Sequence, residues 1–441
     1  MEVQILSRKQ IAPSSPTPEH LRYLKISYLD QLAPPICVPR LFCYPPNEEG
    51  QGLNTTEKSE LLKRSLSEAL TLFYPLAGRY IKDKLLVDCN DNGAEYLEAQ
   101  VSGSMSQLLD EGNSELQAKW LTLLAPDPVE SESNPLALVQ FNMFECGGVA
   151  IGLSLAHRVA DGSSVFTFMD TWAKICRMGI GNIQFCPSFE LCSFFPQRDA
   201  STPFKRTEAA DDKLTTKRLV FNTAAISNLK AIASSTGTLK YQPTRVEVVL
   251  AFMWMSVIRL AKARHGHLRP SLLSIPVNMR KRTMLPIPEN SWGNFVGRAV
   301  PRFSPEDDDK GKLQFHVFVG KVHDAVKSTL SNIAKTSTAD DIVSLVDDAN
   351  GELLEALQNP DLDCCISSSW CRFPKYEADL GWGKPSWVTV PKKPIRRNLI
   401  ALTDTKEGDG IEALVYLDQN DLHLFGQDSE IMPLLCQEIQ A

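Results

Sequence analysis

Leu61, Leu62, Leu66, Ala69, Leu70 and Phe73 fall on one face of a 3.6-residue period, so the pattern predicts a helix over 57–73 that stops at Tyr74-Pro75. Strand patterns follow over 79–88, 136–144 and 149–156. The long apolar zone from Leu136 to Ala156 could pass for a membrane span. Gln140, Asn142, Glu145 and the Cys146-Gly147-Gly148 turn divide it into two strands instead. Val165, Phe168, Met169 and Trp172 then return to helical spacing, which places His157 at the end of a strand and Asp161 at the N-cap of a helix.

A stretch from Pro187 to Lys213, with Phe195-Pro196, Thr202-Pro203 and Asp211-Asp212, has little periodicity and reads as a linker. The pattern restarts with a strand at 217–221. A long helix over 245–264 buries Val246, Val249, Leu250, Met253, Trp254, Val257 and Leu260 and is capped by Thr244. Strands are predicted at 271–278, 294–302, 387–390, 399–404 and 411–416, with a helix at the C-terminus. Ser304 to Lys310, rich in Asp, reads as a solvated turn, and the three prolines between Ile11 and Pro18 make that segment an extended lead-in. The order is mixed α/β without internal repeats.

At 441 residues the chain exceeds one ordinary core, so two domains of roughly 200 residues are expected. The division predicted is 1–190 for a first domain carrying His157, 191–215 for a crossover linker and 216–441 for a second domain, with a segment near 377–398 packing on the first. A net charge of −7, from 46 basic and 53 acidic side chains, argues against nucleic acid or an anionic membrane as partner. No signal peptide or prenylation motif is read at the ends. Eleven scattered cysteines without C-x-x-C pairing indicate reduced thiols, hence the cytoplasm, and no metal site.

The most informative chemistry is in Ser154-Leu155-Ala156-His157-Arg158-Val159-Ala160-Asp161-Gly162: a His able to act as general base at a strand end, with an Asp four residues on that need not form a dyad with it. A strand-end His taken alone is more often structural, so the rest of the chain carries weight. Asp379-Leu380-Gly381-Trp382-Gly383 sets an indole donor between two glycines, where a backbone can approach a ligand or simply turn tightly. Asn278-Met279-Arg280 ends a strand with a cation able to meet a distant carboxylate such as Asp161, or to sit on the surface. No nucleophile elbow, dinucleotide fingerprint or P-loop is present.

Together these residues resemble the BAHD family of CoA-dependent acyltransferases, in its alkaloid-acetylating branch. The resemblance is carried by His157-x-x-x-Asp161-Gly162 and Asp379-Leu380-Gly381-Trp382-Gly383, and by Ser14-Ser15-Pro16-Thr17-Pro18, Leu29-Asp30-Gln31, Phe73 to Arg79, Asp88 to Gly93 and Ser369 to Arg372. Leu380 departs from the family's usual Phe.

The resemblance implies an α/β fold of two chloramphenicol-acetyltransferase-like domains with mixed sheets and a channel at their interface. It implies a monomer taking acetyl-CoA and a small-molecule alcohol, an alkaloid or terpenoid, without a metal. His157 would be the base and Trp382 a candidate to stabilise the oxyanion. Asp161, paired with Arg280, and Asp379, Gly381 and Gly383 would be structural. Thr244 and Arg245 at a helix start would meet the phosphates of CoA, although a simple cap beside an exposed Arg reads the same way. A protein of this family that has lost catalysis and serves as a binding partner is the rival.

Overall fold

The computed structural model describes residues 1–46, 52–109, 120–125, 134–199, 214–307, 313–390, 396–421 and 424. It is mixed α/β and divides into two compact units, each built on its own mixed sheet.

The first unit comprises Met1–Arg206, Pro286–Phe295 and Phe373–Lys393. Its six-stranded sheet runs in the order Val3–Ile11, Ala94–Val101, Ala137–Phe144, Val149–Ala156, Cys37–Tyr44, Trp387–Thr389. Only the Ala94–Val101 and Ala137–Phe144 pair is parallel. The Val149–Ala156 strand lies inside the sheet and all eight of its residues are buried, which explains its small apolar sequence. Against the sheet pack the Thr55–Leu72 helix, opened by a capping box of Asn54 and Glu57, and the Gly162–Met178 helix, with Phe73, Phe168 and Trp172 at the centre of the core. The chain returns to this unit at 286–295, where the Trp292 ring is seated against Phe73, centroids 5.0 Å apart, and the Trp292 backbone N–H donates to the Ser188 carbonyl.

The second unit comprises Thr207–Leu285, Val296–Arg372 and Pro394–Ala441. Its sheet runs Val296–Ala299, Ser271–Asn278, Asp363–Ser369, Leu399–Asp404, Ile411–Asp418, Leu214–Phe221, with Arg302–Phe303 also pairing to Ser271–Asn278. Helices Thr223–Ser234, Arg245–His265, Phe315–Lys335 and Ala339–Gln358 belong to it, and Trp254 and Phe318 meet edge to face in its core. No helix among the described residues is long and apolar enough to cross a membrane.

Two readings of the pattern are corrected. The segment 79–88 is two short strands, Arg79–Ile81 and Leu86–Asp88, separated by a 3-10 turn over Lys82–Lys84 whose charges favour solvent; with Tyr23–Lys25 they form a small third sheet. The strand expected over 294–302 is divided into Val296–Ala299 and Arg302–Phe303, because Pro301 offers no N–H to the ladder and Asn294 is held by other groups. Ser304 to Asp307 includes a 3-10 turn at Pro305–Asp307, and 308–312 lies outside the described residues, as does nearly all of the expected C-terminal helix.

An acid-sensitive contact ties the first unit's edge together. Glu98 accepts from Ser59 Oγ (2.5 Å), from Lys63 Nζ (2.7 Å) and from the Ser7 hydroxyl. Burial pushes its carboxyl up, but the Lys63 and serine donors outweigh this and bring it from 4.5 down to about 2. A carboxyl depressed by folding stabilises above its unfolded value and stops doing so as pH falls through its folded one. At pH 7, Glu98→Gln is therefore expected to be ~2 kcal/mol less stable than wild type, and the gap should close as pH falls from about 4.5 towards 2. Urea unfolding of both proteins across that range measures it, and a pH-independent gap would contradict it.

Candidate active site

His157 directly follows the Val149–Ala156 strand and opens a single 3-10 turn, His157–Val159, before Asp161 caps the Gly162–Met178 helix. Its backbone N–H donates to the Ile36 carbonyl at 2.9 Å, fixing the turn to the start of the neighbouring strand. The ring is half-buried, with Nδ1 3.1 Å from Asn294 Oδ1.

Asp161 does what its N-cap position predicts. Oδ1 accepts from Ser164 N at 2.9 Å and Oδ2 from Phe295 N at 3.2 Å, so one carboxylate holds the helix start and the returning 286–295 segment together. Ser164 reinforces the junction through contacts of 3.2 Å with both the N–H and the carbonyl of Gly293. Gly293 has φ +116°, and a Cβ there would lie 3.1 Å from Asp30 Oδ1; glycine is required for this approach. Arg280 lies in the second unit after Ser271–Asn278, with Nη1 3.3 Å from Asn278 Oδ1.

Two residues outside the expected set complete the cluster. Asn294 donates through Nδ2 to the His157 carbonyl (2.7 Å) and to Asp30 Oδ1 (2.9 Å), and its backbone N–H reaches the same Asp30 oxygen at 2.7 Å. Asp30 Oδ2 accepts from Ser27 N (3.0 Å) and Ser27 Oγ (2.6 Å) in a capping box. Burial raises the Asp30 carboxyl above its ordinary value, against the pull of these donors. The signal available in the sequence was Leu29-Asp30-Gln31, which carried no chemistry on its own.

Trp382 belongs elsewhere. Its ring meets Tyr44 edge on, centroids 6.0 Å apart, with Lys58 Nζ 5.6 Å above it. Tyr44 pairs with Val149, whereas Cys37 pairs with Ala156 beside His157. Seven residues at ~3.3 Å each separate the two ends, so Trp382 lies roughly a strand's length from the imidazole. A second ruler agrees: Asp379 is 3.6 Å from Arg177, near the far end of the helix that Asp161 begins, ~24 Å along at 1.5 Å per residue. The expectation that Trp382 stabilises an oxyanion beside His157 is corrected on this ground. Asp379, Gly381 and Gly383 form a self-contained loop in which Asp379 Oδ1 accepts from Gly381 N (2.9 Å) and Gly383 N (3.1 Å), both glycines having positive φ. Leu380, where Phe was expected, is fully buried in the first unit's core.

In the second unit, Thr244 caps the Arg245–His265 helix in a capping box with Glu247. Arg245 Nη2 is 3.0 Å from Asp404 Oδ1 and Nη1 reaches the Gly408 carbonyl, so its charge is already engaged. Among the described residues no three His, Cys, Asp or Glu side chains stand where they could hold a metal ion, and the cysteines are free thiols. Burial raises the Cys364 thiol to about 11 and Cys365 well above its ordinary value, which makes both poor nucleophiles.

A strand-end His fixed at Nδ1, on two mixed-sheet α/β units, defines a class that comparison with known proteins identifies. The profile of the Transferase family matches residues 1–432. Over 439 residues the chain is 34% identical to stemmadenine O-acetyltransferase of Catharanthus roseus, covering 97% of each. It is 33% identical over 435 residues to 17,18-epoxy-17-hydroxycur-19-ene N-malonyltransferase of Strychnos nux-vomica, covering 98% of this chain and 90% of that one. The crystal structure of vinorine synthase superposes with a TM-score of 0.83 at 31% identity over 98% of both chains. The chain belongs to the BAHD family of acyl-CoA-dependent acyltransferases.

Proposed function

We propose that this acyltransferase moves an acetyl group from acetyl-CoA to the hydroxyl of a specialised-metabolite alcohol, an alkaloid or terpenoid, with His157 as general base. The carrying observation is the half-buried His157 ring, held at Nδ1 by Asn294. Proton transfer then falls to Nε2. In a ternary complex the acceptor oxygen attacks the thioester carbonyl as Nε2 removes its proton; the C–S bond breaks, and the proton passes to the leaving sulfur, giving ester and free thiol. Asp161 keeps its structural place.

Support for an oxygen acceptor and an acetyl donor comes from the likeness to stemmadenine O-acetyltransferase. The likeness to an N-malonyltransferase supports a second reading, malonyl transfer, which differs in donor and nucleophile alike. The test is release of free thiol from acetyl-CoA, malonyl-CoA and a hydroxycinnamoyl-CoA over a panel of alcohols and amines. Acetyl-CoA with an alcohol should give the highest kcat/KM; preference for another donor, or for amines, overturns the finer assignment, and no turnover with any pair favours a binding role.

Thr244 and Arg245 remain the proposed contact for the donor's phosphates, through a helix N-terminus and a neighbouring cation. Because Arg245 already faces Asp404, a charge reversal would set two carboxylates together, so neutralisation is the cleaner probe. Arg245→Gln should raise KM for acetyl-CoA roughly 3–10-fold with little change in kcat, since contacts remote from the thioester contribute uniform binding. An unchanged KM removes Arg245 from the donor site.

A further inference from the structure

We propose that Asp30 and Asn294 form a positioning relay that sets the tautomer of His157, a role a carboxylate in direct contact with the imidazole fills in other general-base sites. The inference deepens the general-base reading above and rests on it. Asp161, the acid next to His157 in sequence, directs its two oxygens to the backbone N–H groups of Ser164 and Phe295. The side chain beside Nδ1 is Asn294.

The orientation of that amide follows from its partners. Nδ2 lies 2.7 Å from the His157 carbonyl and 2.9 Å from Asp30 Oδ1, both acceptors. Turning the amide over would set its oxygen against two oxygens, so Oδ1 must face the ring, 3.1 Å from Nδ1. An acceptor at that place requires the hydrogen on Nδ1 of the neutral imidazole, which puts the ring's lone pair on Nε2, as a base there needs.

The amide is held in turn by Asp30. That carboxylate is buried and surrounded by donors: Asn294 N and Nδ2 on one oxygen, Ser27 N and Oγ on the other. Positive φ at Gly293 lets the backbone come close enough for this. The charge is thus one residue removed from the imidazole. A neutral amide at Nδ1 fixes the tautomer without the strong pull towards imidazolium that an adjacent carboxylate exerts, which suits a group that must accept a proton near neutral pH.

The test uses the full-length chain with ¹⁵N-histidine and, separately, kinetics. Ring ¹H–¹⁵N correlations, with the His157 signals identified by their loss in His157→Ala, should show Nδ1 protonated in the wild type; Nε2 protonation there overturns the relay without any variant being needed. In Asn294→Ala the tautomer should shift towards Nε2–H, and kcat should fall roughly 10–100-fold with KM values within about threefold, as expected for a group that acts on the reacting residue. Asp30→Ala should do the same to a smaller degree, and Asp30→Ala/Asn294→Ala should be no slower than Asn294→Ala alone, because Asp30 acts through Asn294. Additive losses, or an Asn294→Ala enzyme with wild-type kcat, overturn the proposal. The spectra report on the tautomer whether or not the chain acylates, so failure of the relay and failure of the functional reading are distinct results.

Discussion

His157→Ala is expected to lower kcat for acyl transfer on the order of 10²–10⁴-fold while leaving the fold and the KM for acyl-CoA nearly unchanged. The His157 backbone N–H that meets the Ile36 carbonyl is present whatever the side chain, and the 3-10 turn contributes only Val159 to full burial. What the substitution removes is a half-buried ring and its contact with Asn294 Oδ1, a loss of about 1 kcal/mol of stability. Thiol release and a thermal melt on the same preparation separate the two effects. A variant that turns over at the wild-type rate would remove His157 from the chemistry and with it the proposed mechanism; one that melts far below wild type would mean that the ring is mainly structural.

How much of this was legible in the sequence depended on whether the partners of a residue lie near it along the chain. The His157 to Asp161 motif was readable because a strand end, a turn and an N-cap are local events, and the structure shows Asp161 capping as its position requires. Asn294 and Asp30 were not, since their contacts span 137 and 264 residues, and nothing in Ser291-Trp292-Gly293-Asn294 marks an amide destined for a distant imidazole. The Trp382 assignment erred in the opposite direction. Its glycine-flanked loop has the composition of a ligand contact, but the fold uses the glycines to wrap backbone around Asp379 at the other end of the sheet.

The elements followed the same rule. The Val149–Ala156 strand and the Arg245–His265 helix declared themselves through long runs of buried residues. The Cys37–Tyr44 strand did not, although it lies inside the first sheet, because Pro39 and Arg40 interrupt its apolar run. Pro39 sits opposite Ser154, and Arg40 is buried with its guanidinium beside the Phe166 ring, so the strand tolerates both for reasons that only the packing supplies.

Asp161→Ala is expected to cost both stability and activity, in contrast to His157→Ala. Loss of an N-cap side chain costs about 1 kcal/mol, and leaving the buried Phe295 N–H without the Asp161 oxygen adds about 1–3 kcal/mol, for a total near 2–4 kcal/mol. For a unit of this size that corresponds to a fall in Tm of roughly 5–15 °C. Activity should drop because Phe295 follows Asn294 directly, so a slack 286–295 segment displaces the group that holds the His157 ring. Asp161→Asn sharpens the test: its Oδ1 still caps Ser164 N, but its Nδ2 would face the Phe295 N–H, donor against donor. The asparagine variant should therefore recover the helix cap, melt between alanine and wild type, and regain only part of the rate. If both variants melted like wild type and were inactive, Asp161 would be acting on the reaction itself, and its assignment as the joint between helix and returning segment would be wrong.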